Sequence, residues 1–268
     1  MKNIVSNITT LCCVMLLASC AQDQESSGKS MQTTEADWDS DGVAFAEFLM
    51  CTKGPDFSRA NLEEMSEAFR QLALSEDLMW SGGYSPVEDP VDNPGGLYWE
   101  NNWTSEAAAK TAWEGWSTNE EARAWSDKYS NVFVCDETQA FRYEGYFQAP
   151  ESSSLKDWDS FVAAEISCEY NEGKSFVDLE RNIKEFRAWL MANGTEDEFS
   201  FGAYVPTGED SADFWWYNWQ ADFDAMQRGN DNWRAKGAEM QAKFDETATC
   251  AEPTPYNGME FYRAASAS

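Results

Sequence analysis

The sequence contains no histidine. That absence removes His-ligated haem, His-ligated zinc and every catalytic triad built on an imidazole. Basic residues are scarce, 19 Lys and Arg against 48 Asp and Glu, for a formal charge of −29. A field of that sign repels nucleic acid and anionic lipid surfaces. It also suits solubility in a salty medium, which accounts for it without invoking a cationic ligand. Beyond the first twenty residues there is no apolar run long enough to span a bilayer.

What is present begins at the N-terminus. Met1-Lys2-Asn3 carries one positive charge and no acid, and an apolar stretch around Leu11-Cys12-Cys13-Val14-Met15-Leu16-Leu17 follows. It is too short for a stable anchor and reads as the core of a secretion signal. The stretch runs into Leu17-Ala18-Ser19-Cys20, which resembles the lipobox of bacterial lipoproteins. The resemblance implies a signal peptide over 1–19 and a lipid on Cys20. Ala21 and Gln22 lack the aspartate that holds such proteins at the inner membrane, which implies an exported chain anchored at the outer membrane. From Ala21 to Ala36 the only large apolar residue is Met31. Such a segment cannot offset its ordering entropy by burial, so 20–36 is expected to be a lipid-attached flexible tether.

The rest of the chain is read as one unit repeated. Asp37-Trp38-Asp39-Ser40 recurs as Asp157-Trp158-Asp159-Ser160, Cys51 as Cys168, and Phe69-Arg70 as Phe186-Arg187. Gly82-x-Tyr84-x-Pro86 recurs as Gly202-x-Tyr204-x-Pro206, Asn102-Trp103 as Asn218-Trp219, and Cys135 as Cys250. The order never breaks, which chance does not produce. The reading is a tandem duplication, units 37–150 and 157–264, joined by a short link. Each unit opens with an apolar run (Val43 to Cys51; Phe161 to Cys168). A helical stripe follows: Leu62, Met65, Phe69 and Leu72 in one, Leu179, Ile183, Phe186 and Leu190 in the other. Two aromatic runs, a second helical region (Ser105 to Tyr129; Asp222 to Thr247) and a last strand complete it. The predicted order is β-α-β-β-α-β, twice: an α+β chain of two ferredoxin-like units.

With Cys12, Cys13 and the lipid-bearing Cys20 set aside, four cysteines remain, two per unit. They allow three pairings; the duplication favours Cys51–Cys135 and Cys168–Cys250. In a ferredoxin-like sheet of order 4-1-3-2 the end of the first strand meets the start of the last, where these cysteines fall. Two such units in one chain resemble the dimeric α/β-barrel superfamily, whose members include antibiotic-biosynthesis monooxygenases, dye-decolourising peroxidases and chlorite dismutases. The resemblance implies two sheets facing each other across a shared space. No catalytic signature of a member is present, and the missing histidine argues against the haem-using branches.

Asp37-Trp38-Asp39-Ser40-Asp41-Gly42 opens like a calcium loop, but its twelfth position is Phe48 rather than Glu. It reads as a turn with solvated acids, and no metal is expected. Tyr84, Trp103, Tyr204 and Trp219 recur on the inner strands and are candidate cavity-lining residues. Glu47 and Glu165 stand in otherwise apolar first strands, where burial would raise a carboxylate's pKa. The expected function is a non-catalytic envelope module that binds a small apolar or aromatic ligand or a partner. The alternatives are a cofactor-independent monooxygenase-like enzyme and a solid structural scaffold. No catalytic residue or cofactor is assigned, membrane contact is expected through the lipid alone, nucleic acid is not expected, and the chain is expected to be a monomer. The lipid site is directly testable. A fatty-acid analogue fed to growing cells should label the wild type and not Cys20→Ser, and equal labelling would refute the assignment.

Overall fold

The computed structural model describes residues 43–88, 96–148, 160–194 and 199–264. Cys20, the leader, the tether, the Asp37 loop and the link between the units lie outside the described residues. The first unit runs β1 (Val43–Lys53), α1 (Arg59–Arg70), β2 (Leu78–Pro86), β3 (Gly96–Trp103), α2 (Glu106–Thr118), α3 (Glu120–Tyr129) and β4 (Phe133–Gln148). The second runs β5 (Phe161–Tyr170), α4 (Phe176–Asn193), β6 (Phe199–Pro206), β7 (Phe214–Gln220), α5 (Phe223–Lys236), α6 (Ala238–Thr247), β8 (Ala248–Cys250) and β9 (Thr254–Arg263). Among the described residues no helix is long and apolar enough to cross a membrane.

The sequence reading is corrected in two details. The second helical region of each unit is a pair of helices. Asn119 takes an extended backbone between α2 and α3, and its side chain caps α3 by accepting from the Glu121 and Ala122 amides. Between α5 and α6 the Trp233 ring occupies the space a side chain at Gly237 would need. The last strand of the second unit is also interrupted, after β8, at Ala251-Glu252-Pro253, where Pro253 has no N–H to donate to a ladder.

Strand pairing is antiparallel throughout. The first unit gives β4-β1-β3-β2 and the second β9-β5-β7-β6, with β8 on the far end of β5. Then β2 pairs with β9 and β4 with β6, so the two sheets close into one eight-stranded barrel with β8 as a short extension. A barrel of eight strands has an interior just wide enough for side chains to fill. Disulfides join Cys51 to Cys135 and Cys168 to Cys250, each within one unit and each between first and last strand.

Period-2 alternation divides the apolar residues into three cores. On the helix side of the first unit, Leu49, Leu97 and Trp99 pack on Met65 and Phe69 of α1. On that of the second, Ile166, Phe201 and Trp216 pack on Leu179, Ile183 and Phe186 of α4. The third core fills the barrel with Phe48, Tyr84, Tyr143, Phe161, Tyr204, Tyr217, Trp219 and Tyr256. Glycine makes room for this many rings. A Cβ at Gly202 would collide with the rings of Phe147 and Trp219, and one at Gly258 with Phe161.

Candidate functional site

Six residues were expected to line the space between the sheets, and the barrel takes four of them. Tyr84, Tyr204 and Trp219 are buried inside it, and Glu165 points in from β5. Trp103 and Glu47 face the other way. Trp103 belongs to the helix-side core, and Glu47 accepts from Trp113 Nε1 of α2 at 2.7 Å and pairs with Arg142 at 3.1 Å.

The correction has a simple geometric cause. Cys51 and Cys168 are 117 positions apart, whereas Asn102-Trp103 and Asn218-Trp219 are 116 apart. Ala46 pairs with Asn102 and its counterpart Ala163 with Trp219, so the true counterpart of Trp219 is Asn102, and that of Trp103 is Gln220. A slip of one residue turns a side chain to the opposite face of a strand. The same offset matches Glu47 with Ala164 and Glu165 with Phe48.

The cysteine offset also reveals a residue the sequence reading missed. Phe48 lies opposite Glu100 in the first unit, and Glu165 lies opposite Tyr217 in the second. Each unit thus sends one acid and one ring into the barrel from equivalent cross-strand positions, with the two exchanged.

The two acids have different surroundings. Glu100 is 1% exposed and accepts from Tyr84 Oη at 2.6 Å and Tyr204 Oη at 2.5 Å. Trp219 Nε1 donates to Tyr84 Oη at 3.1 Å, completing a chain that crosses between the units. Burial lifts the Glu100 carboxyl to about 7, against the restraint of the Tyr204, Tyr84 and Asn102 hydrogen bonds. Burial and the Glu100 charge hold both tyrosines well above their ordinary range.

Glu165 instead reaches a cleft of about 500 Å³ at one mouth of the barrel. It accepts from Tyr217 Oη and, at 3.4 Å, from Tyr256 Oη. Burial first, with Asp210 nearby adding to it, raises the Glu165 carboxyl to about 6. Aromatic walls come from Phe48, Tyr98, Phe141, Tyr143, Trp215 and Tyr217, and two further acids, Glu209 and Asp210, stand at the rim. Asp210 is fixed there by Tyr143 Oη at 3.0 Å and Trp215 Nε1 at 3.1 Å. Among the described residues no Lys or Arg lines the cleft. Aromatic faces and carboxylates without a basic partner make a field that attracts positive charge and apolar surface together.

Glu100 yields a prediction with a definite sign. Its folded value lies above the ordinary 4.5, so between about 4.5 and 7 the folded chain holds a proton that the unfolded chain has lost. The folded state therefore loses stability as pH rises through that window, by roughly 3 kcal/mol in all. Denaturant melts of wild type and Glu100→Gln should converge or cross, wild type faring relatively better at pH 5 and worse at pH 8. A stability difference that does not change with pH would mean that Glu100 is not held as described.

No protein-family profile and no curated protein sequence matches the chain. Among solved structures it is similar to a presumed monooxygenase of Lactobacillus acidophilus, with 10% identity and a TM-score of 0.54 over 82% of this chain and 95% of that one. A chlorite dismutase of Candidatus Nitrospira defluvii superposes with 13% identity and a TM-score of 0.45 over 81% and 91% of the two chains. At such identities the likeness is one of fold, and the fold is the dimeric α/β barrel built from ferredoxin-like units.

Proposed function

We propose that this chain is an envelope-anchored, monomeric binding module whose barrel-mouth cleft takes a small organic cation with an aromatic or methylated surface. The observation that carries the reading is the pairing of aromatic walls with Glu165, Glu209 and Asp210 in a cleft that, among the described residues, no basic side chain lines. Overall acidity plays no part in it, because a uniform negative field would attract any cation anywhere. The local arrangement is selective: the rings accept a cation's apolar surface, and a fixed acid stands behind them. The raised pKa of Glu165 fits the same purpose, since burial that penalises a lone carboxylate is relieved when a positive charge sits beside it. Closure of the barrel within one chain supports the monomer, and the N-terminal sequence supports the lipid anchor at Cys20. The monooxygenase-like alternative has support from the fold alone, and an open cleft of this size is not what a solid scaffold needs.

Phenyltrimethylammonium and tert-butylbenzene have the same outline and differ by one charge, so titrating both against the protein tests the reading. We expect the cation to bind about tenfold or more tightly than the hydrocarbon at moderate salt, the scale set by desolvated cation–π contact. Its affinity should fall as pH drops through about 6, where Glu165 takes up a proton. Glu165→Gln removes one acid of 48 and barely alters the overall field, yet should abolish most of that preference and its pH dependence. Equal affinity for the two compounds, or a preference untouched by Glu165→Gln, would overturn the proposal.

A further inference from the structure

The barrel-mouth cleft holds its acids at two separate stations, and a ligand with one charge uses only one of them. Glu165 stands in the barrel wall, on β5, where Tyr217 Oη and Tyr256 Oη donate to it. Asp210 stands in the loop between β6 and β7, half-buried, and lines the same cleft. Trp215 Nε1 at 3.1 Å, the Ala212 amide at 3.2 Å and Ser211 Oγ at 3.4 Å donate to its Oδ1, and Tyr143 Oη at 3.0 Å donates to its Oδ2.

All these donors are neutral. Neither acid forms a salt bridge among the described residues. Hydrogen bonds from neutral groups aim a carboxylate but leave its net charge in place. Burial raises the Glu165 carboxyl and the Asp210 charge adds to it, so the two acids act on each other across the cleft. A carboxylate oxygen can accept two bonds. Asp210 Oδ2 and both oxygens of Glu165 accept one each among the described residues, which leaves capacity at each station for a further donor.

The strand β7 sets the spacing. Trp215 and Tyr217 are two residues apart on one face of it, and each supplies a donor to a different acid. Two residues of a strand rise about 7 Å, the span of a benzene ring with a substituent at each end. The surface between the stations is aromatic: Phe48 packs 5.7 Å from Tyr143 and 5.8 Å from Tyr217, centroid to centroid. A bare metal ion does not suit this layout, since among the described residues no three acids or cysteines converge closely enough to hold one.

We propose, building on the cation reading of this cleft, that its ligand is a diamine: a small, flat molecule with two ammonium groups about one ring apart, one on Glu165 and one on Asp210. A single charge at either station leaves the other acid uncompensated in a partly desolvated place. A diamine of this length answers both while its ring lies against Phe48.

1,4-Bis(aminomethyl)benzene and 4-ethylbenzylamine share an outline and differ by one ammonium group. Both would be titrated into the full chain, 15N-labelled at its indole nitrogens, at a pH of about 7.5 and moderate salt. The diamine should bind about tenfold more tightly, the gain one charge-assisted hydrogen bond supplies. It should also move the Trp215 indole signal, whose N–H sits on Asp210, further than the monoamine does. Asp210→Asn keeps an acceptor for Trp215. It should bring the diamine down to the monoamine's affinity while changing the monoamine by about twofold at most. Glu239→Gln removes the same charge from the first turn of α6 and should leave the preference intact, which separates a local station from the overall field. Equal affinity for the two amines, with the monoamine still dependent on Glu165, would overturn the second station and leave the cation reading standing. Failure of both amines to bind would overturn the two together. A preference for the diamine that survives Asp210→Asn, or that falls as far in Glu239→Gln, would also overturn the proposal.

Discussion

The structure depends on how one carboxylate, Glu100, is held at the centre of a narrow barrel. An acid buried this far from water is tolerable only if it is hydrogen-bonded or neutral. Tyr84 from its own unit and Tyr204 from the other supply the bonds, and Trp219 buttresses Tyr84. Those three residues must then occupy the middle of the barrel, and Phe48 packs among Tyr84, Tyr143, Tyr204 and Tyr217 to fill what is left. A polar network that crosses between the units also fixes their register, because a shift of one residue along β3 would carry Glu100 to the helix side.

From that constraint follows where a ligand can go. With its centre filled, the barrel leaves room at the mouth, where the second acid, Glu165, meets a cleft instead of a sealed core. Exchange of acid and ring between the cross-strand pairs Phe48–Glu100 and Glu165–Tyr217 gives one chain both a structural carboxylate and an accessible one. Duplicated units need not share a role, since one copy can seal its acid while the other leaves its acid open.

Much of the architecture was legible in the sequence. The apolar stripes of α1 and α4 follow the helical period, the strands of each unit fall within a few residues of the apolar and aromatic runs, and the cysteine pairs match the duplication. The site was legible only in part, for a reason that concerns one residue of register. Matching Asn102-Trp103 to Asn218-Trp219 is natural by eye, yet the backbone pairs Trp219's place with Asn102. That slip put Trp103 in the wrong layer, whereas Glu47 was a candidate only for standing in an apolar strand, whose period does not say which face is the barrel's. Glu100 looked like one more solvated charge in an acidic chain. Asp210 and Glu209 were out of reach for a different reason: they come from a loop, and only barrel closure brings that loop over Glu165.

The central claim is that two inward-facing acids are separated into a sealed one and one open to ligand. Carboxyl 13C NMR titration of the glutamates measures this directly, without and with phenyltrimethylammonium. The account predicts one resonance titrating near 7, lost in Glu100→Gln and indifferent to the cation, and another near 6, lost in Glu165→Gln and shifted to lower pH by the cation. Both resonances titrating at ordinary glutamate values, or the Glu100 resonance responding to the cation, would contradict it.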